Sequence, residues 1–134
     1  AMKPIEITEK NFEQQVAREG VVALDFWADW CGPCKAFAPI FEEAATRYPD
    51  ITWGKVNTDE QQGLAAGFGV RSIPTLMVFR DGILVHLQPG MLPAAALDEV
   101  VTRVKALDMD AVRQEIEDKE ACGCGTSASS GCCC

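Results

Sequence analysis

Cationic residues are scarce in this chain. Its 134 residues include 12 lysines and arginines against 20 aspartates and glutamates, which gives a formal net charge of −8. Proteins that bind nucleic acids present basic surfaces, so this charge balance argues against a nucleic-acid partner. It also argues, more weakly, against binding to an anionic membrane surface.

Long apolar runs are also missing. No run approaches the ~18 residues that a membrane-spanning helix needs. The first ten residues, AMKPIEITEK, contain no apolar segment of a secretory signal. We therefore expect a cytoplasmic protein, whose cysteines the reducing environment holds mostly as thiols. The length suits one domain, and a hydrophobic content of 48% is enough for a sizeable core.

The apolar pattern predicts strands that alternate with helices in the order βαβαβαββα. The predicted strands are 5–7, 21–27, 51–57, 75–80 and 83–87, and the predicted helices are 8–19, 31–47, 61–68 and one that starts at Pro93. Helices between strands give a parallel sheet, and the Asp81-Gly82 turn signal adds an antiparallel hairpin at its edge. The predicted fold class is therefore α/β, a central mixed sheet with helices on both faces.

The chain changes character after Leu107. Asp110 is the predicted cap of a charged helix, and from Cys122 onward the composition matches a flexible linker that carries thiols. We therefore predict a folded domain over residues 1–107, a charged helical extension over 108–121 and a flexible cysteine-rich tail over 122–134.

Two of the seven cysteines, Cys31 and Cys34, lie in the string WCGPCK, directly after the predicted strand 21–27. Cys-x-x-Cys at this position of a βαβ pattern indicates a dithiol redox site. Cys31 would begin the following helix, where the helix dipole, free N–H groups and the positive charge of Lys35 stabilise a thiolate. Because the thiolate is the attacking form, Cys31 is the predicted nucleophile and Cys34 the resolving thiol.

Half of a zinc site is the competing interpretation of this pair. A structural zinc ion needs four ligands, and Cys-x-x-Cys supplies two. The only histidine, His86, falls in the predicted strand 83–87, where an ordinary strand residue that faces solvent is the simpler assignment. We therefore predict no metal at Cys31 and Cys34.

Two charged residues fall on predicted buried strand faces. Asp25 stands inside the apolar string VVALDFW, and burial raises the pKa of a carboxyl group. Because this strand leads to Cys31, we expect Asp25 beneath the dithiol, where it would accept the proton of Cys34. Lys55, on the apolar face of its own strand, either pairs with Asp25 or extends its ammonium group to the surface.

Taken together, these residues resemble the thioredoxin family over about residues 5–107. The resemblance rests on the strings DFWADWCGPCK, KVNTD and GVRSIPTL, on Ala38-Pro39, on the Asp81-Gly82 hairpin and on Gly90. It implies the thioredoxin fold and the reduction of disulfides in client proteins. The electrons would come from a thioredoxin reductase or an equivalent donor. It also implies that no cofactor is required, because the redox-active disulfide Cys31–Cys34 carries the electrons.

The resemblance also implies roles for individual residues. Pro74 would be cis and pack against the dithiol, while the backbone of Ile73 pairs with the client chain. Asp25 and Lys55 match the family's buried proton-transfer pair. Met91 follows Gly90 where the family commonly has a small residue, so the groove or its clients are expected to differ. The implied apolar docking surface consists of Trp30, Gly32, Pro33, Ile73 and Gly90.

The last thirteen residues, CGCGTSASSGCCC, hold the other five cysteines and fall outside the resemblance. A soft-metal site for Cu(I) or zinc would make the chain a metal-handling protein on a thioredoxin carrier. A thiol relay would attack a mixed disulfide at Cys31. Lipid attachment and the absence of any specific role are the remaining interpretations. The candidate metal ligands are Cys122, Cys124, Cys132, Cys133 and Cys134.

Overall fold

In the part of the chain that the structure describes, strands and helices follow one another in the predicted order. The computed structural model describes residues 4–121, so the five tail cysteines and their predicted metal site lie outside the described residues. The elements are β1 (Ile5–Glu6), α1 (Phe12–Val16), β2 (Val21–Trp27), α2 (Gly32–Arg47), β3 (Thr52–Asn57), α3 (Gln62–Gly67), β4 (Thr75–Arg80), β5 (Ile83–Pro89), α4 (Ala94–Ala106) and α5 (Met109–Ala121).

The five strands form one mixed sheet in the order β1-β3-β2-β4-β5. β1 and β2 run parallel to β3, whereas β4 runs antiparallel to both β2 and β5. The predicted α/β architecture, with a parallel core and an antiparallel hairpin at one edge, is therefore confirmed. The hairpin turns at Asp81 and Gly82, whose φ values of 53° and 82° are the positive values that such a two-residue turn requires.

Helices cover both faces of the sheet, and an apolar cluster lies under each layer. On the face of α2 and α4, Ala23 belongs to a cluster in which the rings of Phe41 and Trp53 meet edge to face at 5.1 Å. On the face of α1 and α3, Leu24 and Phe26 pack with residues of both helices. Successive side chains of β2 thus enter different clusters, which explains why VVALDFW is almost wholly apolar.

The first helix is shorter than predicted. It was expected over residues 8–19 with Thr8 as its cap, but it spans Phe12–Val16. The Thr8 hydroxyl instead accepts hydrogen bonds from the backbone N–H groups of Lys10 (3.2 Å) and Asn11 (3.3 Å). Thr8 therefore closes a turn before the helix, a local hydrogen-bonding pattern that competes with helix formation. The other predicted bounds agree with the structure within two residues.

The charged helix after residue 107 is present as α5, but its predicted cap was wrong. The carboxylate of Asp108 accepts hydrogen bonds from the backbone N–H groups of Asp110 (3.0 Å) and Ala111 (3.2 Å). An aspartate before the first turn accepts from N–H groups that have no partner within the helix, so Asp108 is the cap. The division into 1–107, 108–121 and 122–134 stays a prediction.

Two arginines attach the C-terminal helices to the β4–β5 hairpin. One guanidinium nitrogen of Arg80 donates to the carbonyl oxygens of three residues at the end of α4, at 2.7, 3.0 and 2.8 Å. Arg113 of α5 forms an ion pair of 3.2 Å with Asp81 in the turn. The carbonyl oxygens that accept from Arg80 belong to Val104, Lys105 and Leu107.

Among residues 4–121 no helix is long and apolar enough to cross a membrane.

Candidate active site

The cysteine pair stands at the start of α2. Cys31 is the N-cap of α2 and has an extended backbone conformation, and Pro33 is the second residue of the helix. Its Sγ accepts a hydrogen bond of 3.1 Å from the backbone N–H of Cys34. Proline costs little here because a first-turn N–H would have no partner within the helix. The sulfur of Cys31 therefore meets free N–H groups and the positive end of the helix dipole, which stabilise a thiolate.

Cys31 and Cys34 are joined in a disulfide, with their Cα atoms 5.2 Å apart. Both residues are almost fully buried, at 4% and 2% exposure, so a reacting partner has to make close contact. The Ile73-Pro74 peptide bond is cis, and the carbonyl oxygen of Ile73 lies 3.7 Å from Cys31 Sγ. The structure thus brings Ile73, 42 positions along the chain, against the sulfur pair, and the cis bond to Pro74 is the one that the resemblance implied.

Two large apolar side chains, one directly before Cys31 and one directly after Gly90, are exposed. Trp30 is 70% exposed, and Met91 is 45% exposed. Gly90 has a φ of +95°, which favours glycine, and its N–H donates to the carbonyl oxygen of Pro74 at 2.8 Å. At Gly32 a Cβ atom would meet nothing within 4 Å, so that position is open above the helix start.

Asp59, the last residue of the string KVNTD, lies at the site, although the sequence predicted no role for it. Its Oδ2 accepts a hydrogen bond of 2.9 Å from the indole N–H of Trp30. The side chain of Asn57 in turn accepts from the backbone N–H of Asp59 at 2.9 Å and fixes the turn after β3. Trp30 and Asp59, 29 positions apart, carry no periodic signal, whereas the Asn-x-Asp spacing was a usable turn signal.

Asp25 is fully buried on the sheet face that α2 covers. Within the described residues neither carboxyl oxygen has a hydrogen-bond partner. Burial raises the pKa of this carboxyl from 3.8 to about 7, and the positive charge of Lys55 opposes part of that rise. A carboxyl group with such a pKa gains and loses a proton near neutral pH, which suits it to general acid–base chemistry.

Lys55 lies directly beside Asp25 in the parallel register of β2 and β3. Its ammonium group stacks over the ring of Trp27, with Nζ 4.7 Å from the centroid. The residue is half-buried and lines a cavity of about 360 Å³ with Trp27, Asp29 and Glu60 among its walls. Lys55 was predicted either to pair with Asp25 or to extend its ammonium group to the surface. Elements of both are present, because its charge lowers the pKa of Asp25 while its head group reaches a cavity at the surface.

Among residues 4–121 no three histidine, cysteine, aspartate or glutamate side chains are grouped so as to hold a metal ion. Cys31 and Cys34 have no third donor of this kind near them in that part of the chain. The sulfur atoms are instead bonded to each other. Disulfide exchange is therefore the chemistry that the described geometry supports at this pair.

Comparison with known proteins identifies the same family over most of the chain. The family model described as Thioredoxin matches residues 3–103. A putative thioredoxin 2 of Streptomyces coelicolor is 49% identical over 117 residues, which cover 87% of each chain. Thioredoxin of Bacillus subtilis is 43% identical over 103 residues, 76% of this chain and 98% of the relative. The solved structure of a mutant thioredoxin from Halobacterium salinarum superposes with a TM-score of 0.73 at 34% identity, covering 79% of this chain and 94% of its own.

Proposed function

We propose roles for individual residues from the premise that this chain belongs to the thioredoxin family and is a thiol–disulfide oxidoreductase that reduces protein disulfides. The observation that carries the proposal is the position of Cys31 Sγ at the N-cap of α2, where it accepts the N–H of Cys34. Like other thioredoxins the chain needs no cofactor, because the cysteine pair itself carries two electrons.

In the first step the Cys31 thiolate attacks one sulfur of a client disulfide. A bond forms between Cys31 and that sulfur, and the second client sulfur leaves as a thiolate. The helix start stabilises the attacking charge. We assign the docking of the client to Trp30, Gly32, Pro33, Ile73 and Gly90, with the backbone of Ile73 pairing with the extended client chain.

In the second step Cys34 attacks the sulfur of Cys31 and releases the other client sulfur as a thiolate. Cys34 must lose its proton as it attacks, and we assign that proton to the carboxylate of Asp25. The assignment is supported by the complete burial of Asp25 and by its pKa of about 7. Lys55 is a positioning residue, whose positive charge keeps part of the Asp25 population ionised at neutral pH. Pro74, beside Ile73, holds the loop against the sulfur pair.

The oxidised pair must then be reduced again. Thioredoxins in general receive electrons from a thioredoxin reductase, and we propose such a reductase or an equivalent donor as the partner of this chain. A cytoplasmic location suits this reducing cycle and stays a prediction. The metal-handling alternative has no support among residues 4–121, and a Cu(I) or zinc site in the tail stays a prediction.

Reduction of insulin by the full chain, with dithiothreitol as the electron source, tests this function. We expect Cys31→Ser to abolish the catalysed rate, because no other described thiol has the helix-start environment of Cys31. Thr46→Ala, on the exposed side of the same helix, is the matched control and should keep the full rate. Undiminished insulin reduction by Cys31→Ser would refute the proposed mechanism.

A further inference from the structure

We propose that a cavity between the loop after α3 and the edge strand β5 binds an aromatic side chain of the client protein during reduction. The proposal rests on the docking of the client at Ile73 proposed above, and it adds a preference among clients. The cavity has a volume of about 170 Å³, and we call it the β5 cavity. Its apolar walls are the side chains of Phe68, Val70, Leu87 and Pro89.

The cavity forms because the helical layer on this face stops short of the sheet edge. β5 is the last strand of the sheet, and its Leu87 lies opposite Met77, a member of the apolar cluster on the face of α1 and α3. α3 has only six residues and ends at Gly67. Leu87 is 52% exposed, so in the part of the chain that the structure describes this end of the apolar face stays open to a partner.

The β5 cavity adjoins the loop that contacts the reacting sulfur. Ser72 and Thr75 line the cavity and flank the Ile73-Pro74 bond. The carbonyl oxygen of Ile73 lies 3.7 Å from Cys31 Sγ, so standard backbone dimensions place the Cα atom of Ser72 within roughly 10 Å of that sulfur. An extended chain advances about 3.3 Å per residue. A client residue within about three positions of the attacked cysteine is therefore in range of the cavity.

The volume of the cavity fits one aromatic ring. An apolar cavity of about 150 Å³ is large enough to hold benzene, and the β5 cavity has about 170 Å³. Its wall residue Phe68 already belongs to an aromatic cluster, with ring centroids 5.2 Å from Phe12 and 6.2 Å from Phe79. Aromatic rings attract one another at centroid separations of about 4.5 to 7 Å. A client phenylalanine in the cavity would therefore extend this cluster by one ring.

The charge at the cavity also selects among clients. Arg71 lines the cavity and is exposed, whereas the other lining residues carry no charge. Strand β5, with the sequence ILVHLQP, contains no acidic residue that would offset this charge. A guanidinium group attracts the face of an aromatic ring and repels the side chain of a lysine. We therefore expect the site to favour phenylalanine over leucine and to reject lysine.

Hydrogen bonds hold the walls of the cavity in place. The backbone N–H of Val70 donates to the carbonyl oxygen of Ala65 at 2.9 Å, and that of Gly90 donates to Pro74 at 2.8 Å. The Thr75 hydroxyl donates to the carbonyl oxygen of its own loop at 2.6 Å and keeps this acceptor when an apolar ring fills the cavity. The site thus needs little reordering when a client binds, so burial of the ring contributes directly to affinity.

Peptide clients that differ in one residue test this inference. Each peptide has one cysteine joined by a disulfide to thionitrobenzoate, whose acidic thiol leaves readily and absorbs light on release. Phenylalanine, leucine, lysine or alanine occupies in turn each of the three positions before and after that cysteine. With the reduced full-length chain, phenylalanine at one of these positions should raise the second-order rate constant roughly tenfold over alanine. The rate with the Cys31→Ser chain, which measures release by other thiols, is subtracted.

Substitutions in β5 locate the effect. Leu87→Ala removes part of an apolar wall and should lower the preference for phenylalanine over alanine about threefold or more, whereas Leu87→Met keeps an apolar wall and should retain the preference. Leu84→Ala is the matched control and should retain it in full, because Leu84 is an exposed leucine of the same strand outside the cavity lining. Each preference is a ratio of two rates on one protein, so a general loss of activity or stability cancels.

Equal rate constants for phenylalanine and alanine at every position would overturn the inference, and so would a preference that Leu87→Ala leaves intact. A preference that Leu84→Ala also removes would overturn it too, since the whole edge of β5, open to pairing with a second copy, would then be responsible. If the alanine peptides and insulin are reduced and no such preference is found, the inference alone fails. If neither is reduced, the proposed function itself fails.

Discussion

The indole N–H of Trp30 donates a hydrogen bond of 2.9 Å to Asp59. Trp30 is 70% exposed, so apolar packing does not fix this ring beside Cys31. The hydrogen bond joins the loop before α2 to the turn after β3 and gives the ring a preferred orientation. One wall of the proposed docking surface is therefore held by a residue that the thiol chemistry does not involve.

Loss of this acceptor should weaken client binding more than catalysis. Asp59→Ala removes a hydrogen bond worth about 1 kcal/mol at an exposed site, which corresponds to a roughly fivefold rise in KM for insulin. The kcat should change little because Asp59 does not contact the sulfur atoms. Asp59→Asn keeps an acceptor oxygen and should restore most of the affinity. Equal KM values for the three proteins would show that the bond has no role in docking.

Asp25 should make the stability of the fold depend on pH. Its pKa is about 7 in the folded protein against 3.8 for a free side chain, so the folded state binds more protons between these values. Stability therefore falls as the pH rises from about 4 to about 7 and is constant above that range, at a total cost of about 4 kcal/mol.

Asp25→Asn mimics the protonated side chain and should remove this dependence. Urea unfolding should find the two proteins equally stable near pH 4 and the variant more stable by about 4 kcal/mol at about pH 8. A constant difference across the pH range would mean that Asp25 does not titrate as described.

The same substitution should slow the resolving step in a way that depends on pH. With Asp25→Asn, Cys34 has no carboxylate to take its proton near neutrality, whereas hydroxide removes that proton at high pH. Single-turnover release of a labelled client should therefore be slowed roughly tenfold to a hundredfold near neutrality and much less at about pH 9. A slowing that is the same at both pH values would exclude the proposed proton transfer.

Lys55 should set the pH at which Asp25 ionises. Lys55→Met removes the charge that lowers the pKa of Asp25, so that pKa should rise further. The rate at which Cys34 releases the client should therefore rise at a higher pH than in the unaltered protein. Lys55→Arg should restore the original dependence of this rate on pH. An unmoved profile in Lys55→Met would separate Lys55 from the proton transfer.

Arg80 should contribute to stability without a role in catalysis. Arg80→Met leaves the carbonyl oxygens at the end of α4 without their shared donor and should lower the free energy of unfolding by about 2 kcal/mol. Arg103→Met, an exposed arginine in the last turn of α4, is the matched control and should change it by under about 0.5 kcal/mol. Similar losses in both variants would show that the capping contacts add nothing.

The predictions from the sequence were most accurate where one physical cause produces both the residue pattern and the structure. The bounds of β2 were predicted correctly because burial on both faces demands an apolar run between turns. The hairpin followed from Asp81-Gly82, since few other dipeptides adopt its positive φ values. The position of Cys31 at a helix start followed from the spacing of the cysteines and from Pro33.

Contacts between distant residues were not predictable in the same way. The cap of α5 was predicted at Asp110, but Asp108 fits the same cap pattern, and only the backbone path selects Asp108. The bond from Trp30 to Asp59 and the stacking of Lys55 on Trp27 depend on the positions of loops and of neighbouring strands. Local patterns do not encode such positions.

The most direct test of the account is the site at which a client becomes trapped. The full-length Cys34→Ser and Cys31→Ser chains would each be reduced, mixed with a disulfide-containing client peptide whose mass identifies it, alkylated, and mapped by mass spectrometry without reduction. The account predicts that Cys34→Ser holds the peptide on Cys31 and that Cys31→Ser holds none on Cys34. A peptide found on Cys34 of the Cys31→Ser chain, or none found on Cys31 of the Cys34→Ser chain, would contradict the central claim that Cys31 is the nucleophile.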